Sequence, residues 1–150
     1  MTAFESSPRI TPFLWFDANA EEAVEFYLSV FANSRRLGEF RQPDGSILTI
    51  SFELEGQKFT ALNGGPVYQF NNAISFVVRC DTQQEIDYYW SKLAAGGNEI
   101  QCGWLTDRFG LCWQVVPASI GELLKHPRAM QAMMQMKKLD LAELERAART

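Results

Sequence analysis

Chemistry in this chain has to come from a few polar side chains that stand among aromatic residues. Thr60, Asn63 and Gln114 are the polar candidates, and Gln114 interrupts an apolar run in which a polar group needs a hydrogen-bond partner. An apolar pocket with a few convergent polar groups is the usual form of a small-molecule site, although each ring could instead simply fill the core. We predict a ligand-binding set of six residues: Trp15, Thr60, Asn63, Phe76, Trp104 and Gln114.

Nucleophiles and metal ligands are scarce. The three cysteines, Cys80, Cys102 and Cys112, lack metal-type spacing and are expected to be free thiols packed as small apolar residues. Cys102 and Cys112 could act as nucleophiles, but no His or Lys close in sequence would activate them. The single histidine, His126, precedes Pro127 and is expected at a helix end or on the surface. The catalytic residues are therefore unknown at this level.

Length and charge restrict the class of protein. The chain has 150 residues, enough for one domain with a real core. Its net charge of −4 argues against a nucleic-acid surface, because phosphate binding needs a clustered basic excess. No apolar run is long enough to span a membrane, and the first twelve residues lack the apolar core of a secretory signal. We expect a cytoplasmic protein without nucleic-acid or membrane partners.

Alternation and turn signals divide the chain into two similar halves. Each half starts with a strand, continues with a helix and ends with a hairpin. Residues 19–27 align with 81–89 without a gap at the helix starts, and 53–60 align with 107–114 in the hairpins, which indicates an internal duplication. We predict one domain over 1–150 in three parts: modules at 9–66 and 70–118, and a Met-rich helical segment at 119–150.

Several motifs resemble one protein family. They are PFLWFD at 12–17, ALNGGP at 61–66, FGLCWQVVP at 109–117 and MKKLD at 136–140. Over residues 9–148 the chain is similar to the PhnB-like branch of the vicinal oxygen chelate superfamily, which includes glyoxalases, dioxygenases and antibiotic-resistance proteins. The resemblance implies an α+β fold of paired βαβββ modules that form a cupped mixed sheet with a C-terminal helical extension. It also implies a homodimer.

The resemblance also locates the positions at which metal enzymes of the superfamily carry their ligands. Here those positions correspond to Pro12 and Thr60 in the first half and to Ile74 and Gln114 in the second. Proline and isoleucine have no ligating side chain, and threonine and glutamine are weak neutral ligands, whereas a divalent ion normally takes several His or carboxylate groups. We therefore predict no metal and no other cofactor.

The branch is often labelled a 3-demethylubiquinone 3-methyltransferase domain. The turn at 63–66 is the one Gly-rich turn in a suitable place, and no long helix follows it, so it is better interpreted as a tight exit from a strand. The favoured hypothesis is a metal-free protein that binds a small hydrophobic or aromatic molecule. The alternative is an enzyme acting on an organic substrate, including the methyltransferase of the label.

Overall fold

The computed structural model describes residues 7–150, which divide into two compact units with the boundary between Gln69 and Phe70. The first unit, module 1, contains β1 (Phe13–Phe16), α1 (Ala20–Val30), β2 (Ser34–Arg41), β3 (Ile47–Leu54) and β4 (Gln57–Asn63). The second unit contains module 2, which consists of β5 (Phe76–Cys80), α2 (Gln83–Ala94), β6 (Asn98–Glu99), β7 (Trp104–Thr106) and β8 (Cys112–Pro117). It ends with the C-terminal helical segment, which carries α3 (Ile120–Leu123), α4 (Pro127–Met133) and α5 (Leu141–Ala148). The predicted α+β fold of two βαβββ modules with C-terminal helices is confirmed.

Each module forms one mixed four-stranded sheet. The strand orders are β1-β4-β3-β2 and β5-β8-β7-β6, and in both sheets the first strand of the module pairs in parallel with its last strand. Strand β2 has no clear sequence signature, because Arg35, Arg36 and Glu39 interrupt the apolar alternation. These arginines instead form ion pairs with nearby carboxylates, for example Arg36 with Glu21 of α1.

Aromatic stacking fixes which face of the module 1 sheet carries the helix. Tyr27 of α1 stacks on Phe52 of β3, which stacks on Phe59 of β4. Because side chains alternate along a strand and paired residues share a face, the opposite side chains point away from α1. This set is called the far face of module 1. It comprises Phe13, Trp15, Thr49, Ser51, Thr60 and Leu62, together with the charged pair Glu53 and Lys58.

The sheet of module 2 has the same two-sided organisation. Helix α2 buries Ile86, Trp90 and Leu93, and the buried sheet side chains include Leu105 and Val115. On the opposite side, called the far face of module 2, the strand register sets Gln114 between Val77 and Trp104. The same face continues along the strands with Arg79, Thr106, Cys112 and Val116.

The structure corrects the gap-free alignment of the two helices. The residue before the helix is Asn19 for α1 and Thr82 for α2, and the fully buried Tyr27 corresponds to Trp90 rather than to Tyr89. The alignment was therefore wrong by one residue, because two aromatic residues precede the buried position in α2 and the sequence alone does not say which one faces inward.

The C-terminal helical segment is attached to module 2 by backbone and side-chain contacts. The amides of Cys102 and Gly103 donate to the carbonyls of Met136 and Lys137, and Leu139 is fully buried. A Cβ on Gly103 would lie 3.1 Å from the Leu139 side chain, so the glycine makes room for the segment. None of the helices within residues 7–150 combines the length and apolar character that a membrane-spanning helix needs.

Candidate functional site

Thr60 is the most unusual residue of the far face of module 1. It sits in β4 between Phe13 of β1 and Ser51 of β3, and only 3% of it is exposed. Its Oγ1 is the one buried side-chain nitrogen or oxygen without a hydrogen-bond partner among residues 7–150. An unpaired buried hydroxyl costs about 1–3 kcal/mol, so the fold carries a polar group that it does not itself use.

Trp15 is held in place by the chain that follows β4. Its indole Nε1 donates to the carbonyl of Gly65 at 2.9 Å, and the Tyr68 ring approaches edge-on with 4.9 Å between centroids. A Cβ on Gly64 would lie 2.4 Å from Trp15 Cε2, and Gly65 has φ +89°. The Gly-Gly turn therefore serves to enclose an aromatic side chain of the far face.

Asn63, which was predicted to bind ligand, has its amide committed to the fold. Its Oδ1 accepts from the amide of Ala20 at 2.8 Å, and its Nδ2 donates to the carbonyl of Ile47 at 3.1 Å. It thereby caps α1, since the side chain of Asn19 makes no capping bond. Asn63 also borders a polar cleft of about 510 Å³ beside the start of α1, which the sequence did not indicate.

Gln114 occupies the centre of the far face of module 2. Val77 of β5 is its parallel partner and Trp104 of β7 its antiparallel partner, so an amide lies between two apolar side chains. Its Nε2 donates to Ser75 Oγ at 2.9 Å. Gln114 and Trp104 are partly exposed and Val77 is 59% exposed. The structure thus brings together two of the predicted residues, Trp104 and Gln114.

Phe76, the remaining predicted residue, lies on the other side of the module 2 sheet. It pairs with Trp113 in the strand register, and the two ring centroids are 5.7 Å apart. Trp113 is buried and donates from its indole to Asp107, which also accepts from the amides of Phe109 and Leu111. Phe76 is therefore placed with this buried cluster and not with Gln114. The sequence does not single out Asp107, because its three donors meet the carboxylate only once the hairpin has formed.

Strand pairing shows which first-strand side chains lie beside Thr60 and Gln114. The register partner of Thr60 is Phe13, and Pro12 accepts a hydrogen bond from the Thr60 amide through its backbone carbonyl. The partner of Gln114 is Val77, and Ile74 lies before β5 begins. Neither Phe13 nor Val77 can ligate a metal through its side chain.

Within the part of the chain that the structure describes, no three His, Cys, Asp or Glu side chains come together in a way that could hold a metal ion. His126 is exposed and directly precedes α4, at a helix end as expected.

The cysteines differ in their suitability as nucleophiles. Burial raises the pKa of the Cys80 thiol to about 12, and burial followed by the charge of Asp107 raises the pKa of Cys112. Both side chains are fully buried, so Cys112 is not a suitable nucleophile, contrary to the hypothesis from the sequence. Cys102 is partly exposed, in the left-handed backbone region with φ 61°.

The fold and the two far faces define a protein of the glyoxalase-type paired βαβββ class. A family model described as 3-demethylubiquinone-9 3-methyltransferase matches residues 8–116, and the chain belongs to this PhnB-like family. The C-terminal helical segment lies beyond the matched region.

Solved structures agree with this assignment. The PhnB protein of Bacillus cereus is 32% identical, with a TM-score of 0.69 over 74% of this chain and 100% of that chain. Protein PA1353 of Pseudomonas aeruginosa is 22% identical, with a TM-score of 0.60 over 74% of this chain and 98% of that chain. The fosfomycin resistance protein FosX of Listeria monocytogenes, crystallised with Mn(II) and sulfate, is 15% identical, with a TM-score of 0.57 over 79% of this chain and 96% of that chain. The latter two share the fold alone. Comparison with curated protein sequences finds no match.

Proposed function

We propose that this protein binds a small hydrophobic or aromatic molecule on its far faces and does so without a metal ion. The observation that carries the proposal is the buried Thr60 hydroxyl, which has no partner among residues 7–150. The hydroxyl is covered in the folded chain, and a ligand that displaced the half-exposed Phe13 side chain would give it a hydrogen-bond partner. Its neighbours Phe13 and Trp15 supply apolar surface of the kind that small-molecule sites use.

Gln114 supports the same proposal from the second module. Thr60 and Gln114 occupy equivalent places, each in the strand that pairs in parallel with the first strand of its module. In both places the parallel partner is a largely exposed apolar residue, Phe13 at 52% and Val77 at 59%. Both modules therefore present one neutral polar group beside apolar surface.

The same four positions support binding without a metal. Phe13, Val77, Thr60 and Gln114 offer no carboxylate or imidazole, which divalent ions prefer as ligands. FosX was crystallised with Mn(II), but its 15% identity shows only a shared fold, so its metal is not transferred to this chain.

A thermal-shift screen against planar aromatic compounds tests the proposal. We expect several compounds to raise the melting temperature. Each should do so by the same amount in EDTA as in added Mn²⁺ or Zn²⁺. Replacing Thr60 by Val should reduce the shifts, whereas replacing the partly exposed Thr49 of the same face should reduce them less. A broad library without any hit would contradict the proposal, and so would shifts that require a metal.

The family description supplies a second candidate, methyl transfer to a demethylubiquinone-like substrate. The site chemistry favours it less, because the Gly64 backbone is covered by the Trp15 indole and is not open to a methyl donor. Incubation with an isotopically labelled methyl donor and a demethylubiquinone analogue decides this point. Incorporation of label into the analogue would establish the enzyme, and its absence would leave binding as the function.

We also propose that the protein is a homodimer. Exposed apolar side chains support this, among them Phe40 on the edge strand β2 and Met130 and Met134 in α4. Large exposed apolar side chains are commonly buried between copies of a chain. Light scattering at micromolar concentration should give twice the chain mass, and a monomeric mass would contradict this part of the proposal.

A further inference from the structure

One hydrogen bond orients the amide of Gln114, and this orientation bears on the kind of ligand group that can meet it. Nε2 donates to Ser75 Oγ at 2.9 Å, which directs the amino group towards the residue before β5. Within residues 7–150 the carbonyl oxygen Oε1 has no hydrogen-bond donor. The partly exposed side chain thus presents an acceptor rather than a donor.

The two register partners of this acceptor are apolar, namely the exposed Val77 and the partly exposed Trp104 ring. Arg79, two residues along β5 on the same face, is paired with Asp81. A charged donor placed beside Gln114 would lose hydration without meeting a carboxylate among these two partners, whereas a neutral donor would lose little. The apolar neighbours fit the hydrocarbon part of a ligand.

We infer that Gln114 selects ligands that carry a neutral O–H or N–H donor on an aromatic or apolar framework, of which a phenol is the simplest example. This inference rests on the proposed function and specifies its ligand class. A ligand that lacks the donor leaves Oε1 unpaired when it covers the site, which weakens binding by about tenfold.

A matched pair of probes, 1-naphthol and 1-methoxynaphthalene, tests the inference. They share the ring system and differ in the donor. Isothermal titration of the full chain should show about tenfold tighter binding of the naphthol. Gln114→Met keeps the length of the side chain but removes the amide. It should abolish the preference for the naphthol while 1-methoxynaphthalene still binds. Ser75→Ala removes the hydrogen bond that orients the amide and should reduce the difference in affinity between the two probes. Gln84→Met on the exposed surface of α2 is the control and should change nothing.

The outcomes separate the two proposals. Equal affinity of the natural protein for both probes, or an unchanged preference in Gln114→Met, would overturn the inference and leave the proposed function standing. Absence of saturable binding of either probe would overturn both. Ser75→Ala keeps the test decisive if Gln114→Met folds poorly, because it leaves the glutamine in place.

Discussion

The two modules share one plan but are stabilised differently. In module 1, strands β2, β3 and β4 contain 8, 8 and 7 residues, so the sheet is held by its own backbone ladder. In module 2, β6 and β7 contain only 2 and 3 residues. Module 2 compensates with contacts from outside the repeat, where Cys102 and Gly103 donate to the C-terminal helical segment. The duplication therefore preserved topology rather than the source of stability.

The helix starts show the same contrast. Helix α1 receives its cap from Asn63 of the neighbouring strand β4. Helix α2 is capped by Thr82, whose side chain accepts from the amide of Glu85, and the next residue, Gln83, bonds to the C-terminal helical segment. Module 1 caps its helix with a side chain of its own sheet, whereas in module 2 the cap is local and the first helical residue is tied to the C-terminal helical segment.

The largest expected effect is at the hairpin turn of module 2. Asp107→Ala should lower the free energy of unfolding by about 3 kcal/mol, because the buried donors of Phe109, Leu111 and Trp113 lose their acceptor. The matching turn of module 1 is set by backbone conformation, with Glu55 at φ 49° and Gly56 at φ 85°.

Glu55→Ala is the matched control, and we expect it to change the free energy by less than about 0.5 kcal/mol. Urea denaturation measures both values. Equal losses in the two variants would contradict the difference between the modules.

Gln83→Ala should lower the free energy of unfolding by about 1–2 kcal/mol and loosen the C-terminal helical segment. The side chain donates to the carbonyl of Leu139 at 3.0 Å and accepts from the amide of Leu141 at 2.8 Å. Native-state hydrogen exchange should accelerate at residues 136–141. Gln84→Ala on the exposed side of α2 is the control and should leave the exchange rates unchanged. Slow exchange at residues 136–141 in both variants would show that Gln83 does not hold the segment in place.

Thr60→Val should raise the free energy of unfolding by about 1 kcal/mol, because valine keeps the shape and removes an unpaired buried hydroxyl. The same variant should bind aromatic ligands more weakly. Thr49→Val, at a partly exposed position of the same face, should have a smaller effect on stability. A loss of stability in Thr60→Val would mean that the hydroxyl has a structural role.

The smallest expected effect is a difference in thiol-labelling rate among the three cysteines, without any change in the fold. Because burial raises the pKa values of Cys80 and Cys112, their thiolates remain scarce at pH 8, and only Cys102 should react promptly with a thiol reagent. The raised pKa values also affect stability. In the unfolded chain Cys80 and Cys112 have ordinary pKa values and lose their protons at a lower pH than in the folded chain. The free energy of unfolding therefore falls as the pH rises above the ordinary thiol pKa. Cys102→Ser should remove the fast reaction, and three similar rates would contradict this assignment.

The sequence predicted the repeat and the fold class, because alternation and turns are local signals. It also predicted that Gln114 needs a hydrogen-bond partner, which the structure supplies in Ser75. It did not predict that Asn63 caps α1, since that contact joins residues distant along the chain. Phe76 was expected beside the ligand but is placed with Trp113, because its face depends on strand register, which one residue of slip reverses. Gln83 had no signal at all, since its partners lie in the C-terminal helical segment.

The most direct test of metal-free binding is a titration of the ¹⁵N-labelled protein with 1-naphthol in the presence of EDTA, followed by two-dimensional NMR. We expect saturable shifts of the amides on the two far faces and small shifts in α1, α2 and the C-terminal helical segment. Shifts confined to the helices, or no saturable shifts, would contradict the proposal. The residues expected to respond are Phe13, Trp15, Thr60, Val77, Trp104 and Gln114.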